Sequence, residues 1–392
     1  MKKIKIPLLV RVIIAISLGV LVGHFATAPV VRVFITFNAL FSQFLQFLIP
    51  IIIAGLVTPA IAEIGKHAGK LLVITTLIAY GDTVFAGCLS YFTGVAIFPH
   101  LLDTASVVQI AQTQASEPYF KVEIPPLMGV MTALVLAFIV GLGIASLRKE
   151  RLKILCDEFK DIVSKTIESA IIPLLPIYIF GIFLDMTFTG QVAHVLTTFV
   201  SIIGVIFGLH ILLLILQFTI AGIISRKNPF RLLWNMMPAY FTALGTSSSA
   251  ATIPVTLKQT MKNGVSHGIA GFVIPLCATI HLSGSTLKIV ACALALMIMQ
   301  GMPYSMTLFI GFILMLGIVM VAAPGVPGGA IMAALGVLGS ILGFGEQEQA
   351  LMIALYIAMD SFGTACNVTG DGAIAVIMDS IFKQNISNEH QP

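Results

Sequence analysis

The sequence predicts an all-α polytopic membrane protein: eight transmembrane helices, plus two re-entrant helical hairpins that belong to inverted repeats. Three observations carry this. The 392 residues are 58% hydrophobic and only 10% charged, a balance suited to a chain solvated by lipid. Eight apolar stretches are long enough to cross a bilayer core, which takes about 20 helical residues. Two further apolar segments, 229–262 and 303–345, carry Pro, Gly or Ser at their centres and do not make clean spans.

The spans fall at 7–25, 34–62, 70–98, 126–146, 166–187, 194–225, 266–300 and 347–380. The first opens as "MKKIKIPLLVRVIIAISLGVLVGHFATAP", with the basic head, apolar run and Ala-x-Ala end of a signal peptide. It is predicted to be a retained span, because Arg11 interrupts the run and the apolar length exceeds a usual signal core. Basic residues cluster in alternate connections: Lys2, Lys3, Lys5 and Arg11; Lys66 and Lys70; Arg148 to Lys153; Arg226, Lys227 and Arg231; Lys258 and Lys262. The positive-inside rule makes these cytoplasmic and puts both termini inside. The net charge of +4 then reports topology, and no nucleic-acid partner is expected. The longest polar stretch, 102–124, reads as an outward-facing loop. Cys88, Cys156, Cys277, Cys292 and Cys366 lack paired spacing and read as packing residues, with neither a disulfide framework nor a metal site. Three regions follow: six N-terminal spans over 1–225, an interrupted core over 226–383, and a tail over 384–392.

The core contains a repeat. A hairpin with the tip "TSSSAATIP" (246–254) precedes a helix broken at "HLSGS" (281–285). A second hairpin with the tip "APGVPGGAI" (323–331) precedes the span carrying Asp360 to Asn367. One span separates the hairpins, so they would enter the bilayer from opposite sides and meet near its midplane, as in secondary transporters. Irregular backbone at that depth must be buried in protein or line a watery cavity.

Chemistry concentrates on few residues. Asp360, Thr364, Asn367 and Asp371 fall within roughly a 60° arc of one helix. An aspartate at the centre of a span costs about 2.5–3.5 kcal/mol on insertion scales, so a compensating partner is expected. Carboxylate, amide and free carbonyl oxygens suit Na⁺ or a substrate amine; fixing helix packing alone is the plainer alternative. Ser247, Ser248 and Ser249 offer hydroxyls and exposed backbone N–H groups, which suit a carboxylate. Asp82 and Lys288 are charges in apolar surroundings, where an unpaired ion is expensive. They are predicted to pair with each other, against the alternative of a snorkelling lysine and an unrelated aspartate. His281 makes H⁺ a second candidate coupling ion beside Na⁺, or else fills the space of an amide. His210, alone in the sixth span, reads as a satisfied packing residue. No cofactor is expected beyond the coupling ion.

"TSSSAATIPVT", the broken seventh span, the tip "PGVPGGAI" and above all "NVTGD" (367–371) resemble the dicarboxylate/amino acid:cation symporters, the family of the glutamate transporters. The resemblance is specific over about 237–379. It implies a homotrimer in the inner (plasma) membrane with a fixed trimerisation scaffold. A transport domain of both hairpins and the last two spans would move as an elevator, the third and sixth spans moving with it. Asp360 would accept the substrate amine and Asn367 contact the substrate, while Ser247, Ser248, Ser249 and Ser285 would hold its carboxylate. Asp371 with Asn367 would supply oxygens to a Na⁺, and the second hairpin, hinged on Gly325, Gly328 and Gly329, would be the outer gate.

Two departures matter. Family members that take acidic substrates carry an arginine just before the eighth-span threonine; here Gly363 precedes Thr364. Without a guanidinium fork a second carboxylate has no bidentate partner, and no other Arg or Lys lies in the eighth span or at the first tip. A neutral amino acid is therefore expected, over acidic amino acids or dicarboxylates, with room at Gly363 for a larger side chain. The seventh-span motif, usually Asn-Met-Asp-Gly-Thr, reads His281-Leu282-Ser283-Gly284-Ser285, so one Na⁺ site is expected to be missing, with the Lys288 ammonium in its place. A membrane enzyme using Ser247–Ser249 with His267 or His281 and a channel built on the hairpin tips are the competing readings. The missing Gly-x-Ser-x-Gly elbow counts against the first, and the two dissimilar tips against the second.

Overall fold

A computed structural model describes residues 8–66, 70–101, 117–147, 150–190, 192–323 and 328–388. They form fifteen α-helices and one π-helical turn, with no strand among the described residues. The N-terminal part comprises α1 (Leu8–Gly23), α2 (Ala28–Lys66), α3 (Lys70–Leu101), α4 (Val130–Leu147), α5 (Glu150–Thr166), α6 (Ile172–Phe188) and α7 (Val192–Ser225). A π-turn, Ile167–Ile171, carries α5 into α6. By length and composition six helical stretches are able to cross a membrane: 28–62, 70–101, 150–188, 195–225, 267–299 and 360–382. Residues 10–23 and 132–147 form shorter apolar helices where the first and fourth spans are predicted.

The predicted fifth span, 166–187, falls on the π-turn and α6, and the segment read as a basic connection before it forms a further helix, α5, in which Leu152, Leu155, Phe159 and Ile162 recur at helical spacing between the charges.

The core repeats one order of elements. A two-helix hairpin, α8 (Pro229–Thr246) and α9 (Ser249–Lys262), precedes a broken helix, α10 (His267–Ile280) and α11 (Ser283–Met299). Then come α12 (Met306–Val321) and α13 (Gly329–Leu342), followed by α14 (Glu346–Ala358) and α15 (Asp360–Asn388). Local chemistry sets these bounds. Asn228 caps α8 through the amides of Phe230 and Arg231, with Pro229 in the first turn, where its missing N–H costs nothing. Ser248 caps α9 and Ser305 caps α12. Gly328 and Gly343 take the left-handed conformation at either end of α13, which glycine adopts without the steric cost of a Cβ. The break before α15 is absent from the sequence-based picture of one continuous eighth span.

Every residue of α11 is buried, so this helix, although mostly apolar, meets protein on all sides. It packs against α3, α15, α7 and α14. The outer helices instead expose large apolar side chains such as Ile139 and Leu142 on α4 and Val200, Ile211 and Ile223 on α7. Small residues let the outer helices approach: a Cβ on Gly23 would lie 2.5 Å from Thr187 Cβ and one on Gly19 2.8 Å from the Phe180 carbonyl oxygen, so α1 rests directly on α6.

Gly23→Leu is expected to lower stability by about 1–3 kcal/mol through overpacking, read as a lower Tm of the purified protein in detergent. Gly143→Leu, where a Cβ meets nothing within 4 Å, is the control expected to leave Tm unchanged.

Candidate functional site

Both hairpin tips and both helix breaks converge on the first turns of α15 and α11. The chain leaves α8 through Ser247, which takes a left-handed conformation (φ 51°), and its hydroxyl bonds the hydroxyl of Ser361 at 2.6 Å. From the other hairpin the Gly328 N–H donates to Asp360 Oδ2 at 2.8 Å. Between them lies a cavity of about 30 Å³ lined by Ser247, Ser249, Ser285, Tyr356, Asp360, Thr364 and Asn367 among others. That is room for one or two waters, not for an amino acid.

The breaks are stitched by side chains from the opposite helix. Asn367 Oδ1 accepts from the backbone N–H of Gly284 (2.8 Å) and Ser285 (3.2 Å), while its Nδ2 donates to Ser285 Oγ (3.0 Å). Tyr356 Oη also donates to Ser285 Oγ, at 3.2 Å. Lys288, fully buried, points its ammonium at the carbonyls of Tyr356 (3.3 Å) and Met359 (3.4 Å) and at Asp360 Oδ1 (3.6 Å). The same ammonium stands 3.3 Å from the centre of the Tyr356 ring, a cation–π contact. A third group surrounds His281, whose Nε2 lies 2.7 Å from Asp82 Oδ2 and whose Nδ1 lies 2.8 Å from Asp371 Oδ1. Gln217 Nε2 donates both to Asp82 Oδ2 (2.6 Å) and to Ser283 Oγ (3.1 Å).

Several expectations are corrected by this geometry. Lys288 pairs with Asp360, not with Asp82. It is five residues beyond Ser283, which puts it about 140° further round α11 and aims it at the α14–α15 break. Asp82 is matched by His281 instead. The space at Gly363 is not free for a larger substrate side chain: a Cβ on Gly363 would lie 2.9 Å from Lys288 Nζ. At the position expected for a Na⁺, Asn367 Oδ1 accepts from two backbone N–H groups and Asp371 Oδ1 faces a ring nitrogen of His281. Ser248 turns its hydroxyl to the Ala251 N–H and so caps α9, and Thr364 bonds its own helix at the Asp360 carbonyl. Ser247 bonds Ser361 and His281 bonds two carboxylates, so no serine–histidine pair forms among the described residues; His267 is exposed. His210 bonds the Gly284 carbonyl at 3.0 Å, in keeping with a packing role. Gly325 lies outside the described residues, and Gly329 is buried in the first turn of α13.

Three site residues were missed: Ser361, the partner of Ser247, Gln217 and Tyr356. Gln217 is a lone amide in an otherwise apolar span, seven residues after His210 and on the same face, and that isolation was the available signal. Tyr356 gave none, because its importance arises only from the break that follows it.

A profile of the Sodium:dicarboxylate symporter family matches residues 8–381. The chain is 31% identical over 157 residues to "Neutral amino acid transporter B(0)" of Rattus norvegicus, covering 40% of this chain and 28% of that protein. It is 33% identical over 183 residues to "Excitatory amino acid transporter 3" of Mus musculus, covering 46% and 35%, and 30% identical over 200 residues to "Excitatory amino acid transporter 1" of Homo sapiens, covering 51% and 36%. The matched segments thus span about a third of each relative's length. With nearly its whole length matched by the family profile, the chain belongs to the sodium:dicarboxylate symporter family.

Proposed function

We propose that the protein is a secondary active transporter that carries an amino acid, preferentially a neutral one, across the membrane. The observation that carries this reading is Asp360, a buried carboxylate held by the tip of the second hairpin beside that of the first, over a cavity that opens only if a tip moves. That is the construction of a gate closing on its own binding group. The substrate ammonium takes Asp360 Oδ2 from the Gly328 N–H when the tip swings away. Its carboxylate is received by Ser285 and by the hydroxyls of Ser247 and Ser249 at the first tip.

The remaining architecture follows the family resemblance. Eight spans and two re-entrant hairpins sit in the inner membrane with both termini cytoplasmic. Three copies assemble through the outer helices of each protomer, and the core moves as an elevator with α3 and α7, both of which pack on α11. Coupling to cations is altered from the family pattern.

The preference for a neutral substrate rests on position 363. The cation beside it is Lys288, held by two carbonyls, a carboxylate and an aromatic face, and absent from the cavity lining. Its charge is committed to the protein. A second reading, an acidic amino acid or a dicarboxylate, has one observation in its favour: a cation does stand within 2.9 Å of where a Gly363 Cβ would be.

Reconstituted in liposomes, the protein is expected to take up labelled L-serine, L-alanine or L-leucine with saturable, trans-stimulated exchange. Faster uptake of L-aspartate or succinate would overturn the neutral assignment, and flux without trans-stimulation would indicate a channel. Asp360→Asn is expected to weaken uptake by about 30-fold or more, the equivalent of the roughly 2 kcal/mol lost when a buried charge pair loses one partner. Gly363→Arg alone is expected to inactivate, because the new side chain meets the Lys288 ammonium. Gly363→Arg with Lys288→Met is expected to restore exchange and shift it toward L-aspartate, measured as the ratio of aspartate to serine uptake.

A further inference from the structure

We infer that the core of this carrier supplies its own counter-ions, the His281 ring between Asp82 and Asp371 and the Lys288 ammonium on Asp360, and that exchange proceeds without Na⁺. The inference rests on the transporter reading above and specifies its coupling. Three carboxylates lie around the two helix breaks: Asp82, Asp360 and Asp371; a fourth, Asp379, lies further along α15 and accepts from the Ser266 N–H. Each has an oxygen already turned toward a protein nitrogen.

The His281 group is the clearest. Both ring nitrogens lie within 2.8 Å of a carboxylate oxygen. An ionised carboxylate only accepts, and a neutral imidazole has one N–H. A neutral ring between two ionised carboxylates would therefore turn one nitrogen lone pair onto an oxygen lone pair. The group is consistent only with one additional proton, on the ring or on a carboxyl, and that proton offsets one of its two negative charges where a cation would otherwise be required. The surroundings are shaped for this ring. His281 is the extended residue between α10 and α11 (φ −108°, ψ 105°), which aims it at α3 and α15. A Cβ on Gly370 would lie 2.9 Å from its Cε1, so the glycine opens the space it fills.

A hard cation is held by several oxygens whose lone pairs are free to face it. Here Asp82 Oδ2 takes two nitrogens, from Gln217 and His281, and Asn367 Oδ1 takes two backbone amides. Asp371 Oδ1 faces the ring, and the two oxygens of Asp360 face Lys288 and Gly328. One negative charge remains, three carboxylates against two cations. Asp82 is the most exposed of the three and borders a cavity of about 220 Å³.

The test compares NaCl with choline chloride at equal ionic strength, on the full-length protein. Expected are the same Tm in both salts for the purified protein, since an ion that binds the folded state would raise it, and an exchange ratio of about one for labelled L-serine, L-alanine and L-leucine in liposomes. A saturable rise in Tm with Na⁺, or exchange slower by about tenfold or more in choline, overturns the inference. His281→Ala is expected to acquire a Na⁺-dependent rise in Tm that the parent lacks, an effect that a purely structural role of the ring would not produce. A folded His281→Ala indifferent to Na⁺ overturns the role given to the ring, and a variant too unstable to purify leaves the parent's two measurements to decide. If none of these amino acids, nor L-aspartate or succinate, exchanges in either salt, the transporter reading fails, while the Tm comparison still decides the counter-ion inference.

Discussion

The structure depends on how backbone freed at two helix breaks is satisfied in apolar surroundings. Ending a helix leaves orphan N–H or C=O groups, and at membrane depth each one left unpaired costs several kcal/mol. The two breaks lie side by side and repair each other. Asn367, one turn beyond Thr364 on α15, reaches across to the first amides of α11. Lys288, on α11, reaches back to the last carbonyls around the end of α14. An amide cap on a positive helix end and an ammonium on a negative one both have the sign that the helix dipole favours. Side chains from each break thus reach the other, which ties the two repeats together.

That reciprocity explains the separate behaviour of the two hairpins. The first tip sits on α15 through a hydroxyl pair, and its second helix is capped internally by Ser248. The described part of the second tip attaches to α15 through the Gly328 amide on Asp360. A hydrogen bond to a charged group is worth about 1.5–3 kcal/mol, small enough for a bound ligand to replace. The helix breaks are joined by caps between helices, whereas the described part of the second tip is joined by a bond of the kind a charged ligand can take over.

Much of this was legible from sequence, for identifiable reasons. Apolar length fixed the approximate position of the spans, and Pro, Gly and Ser at the centres of 229–262 and 303–345 marked the hairpins, because those residues cap and turn backbone wherever they stand. The face of Asp360, Thr364, Asn367 and Asp371 was legible because helical periodicity holds across α15. Partner choice was not legible. Assigning Lys288 to Asp82 required knowing which way α11 faces, and that orientation is fixed by the break at 281–282 together with the seating of Gly284 on α15, where a Cβ would lie 2.6 Å from Cys366 Cβ. The break at Met359 was illegible for a related reason: it carries neither Gly nor Pro, and the lysine that faces its carbonyls stands on α11, three helices before α14.

The placement of Lys288 also constrains how a ligand is recognised in the proposed cycle. An ammonium buried without water remains charged only if its surroundings repay its desolvation, and here two carbonyls, one carboxylate oxygen and an aromatic face are committed to it. Asp360 Oδ1 is therefore spent, leaving Oδ2 as the atom that turns toward the cavity. The Gly328 amide and an incoming substrate ammonium must compete for that oxygen. When the ammonium wins, the tip loses its anchor on the protein and can reclose only on an acceptor that the bound substrate brings, its carboxylate. Recognition of the amine and closure over the carboxylate then become a single condition. A molecule with only one of the two groups leaves the gate either latched on Asp360 or without a surface to close on.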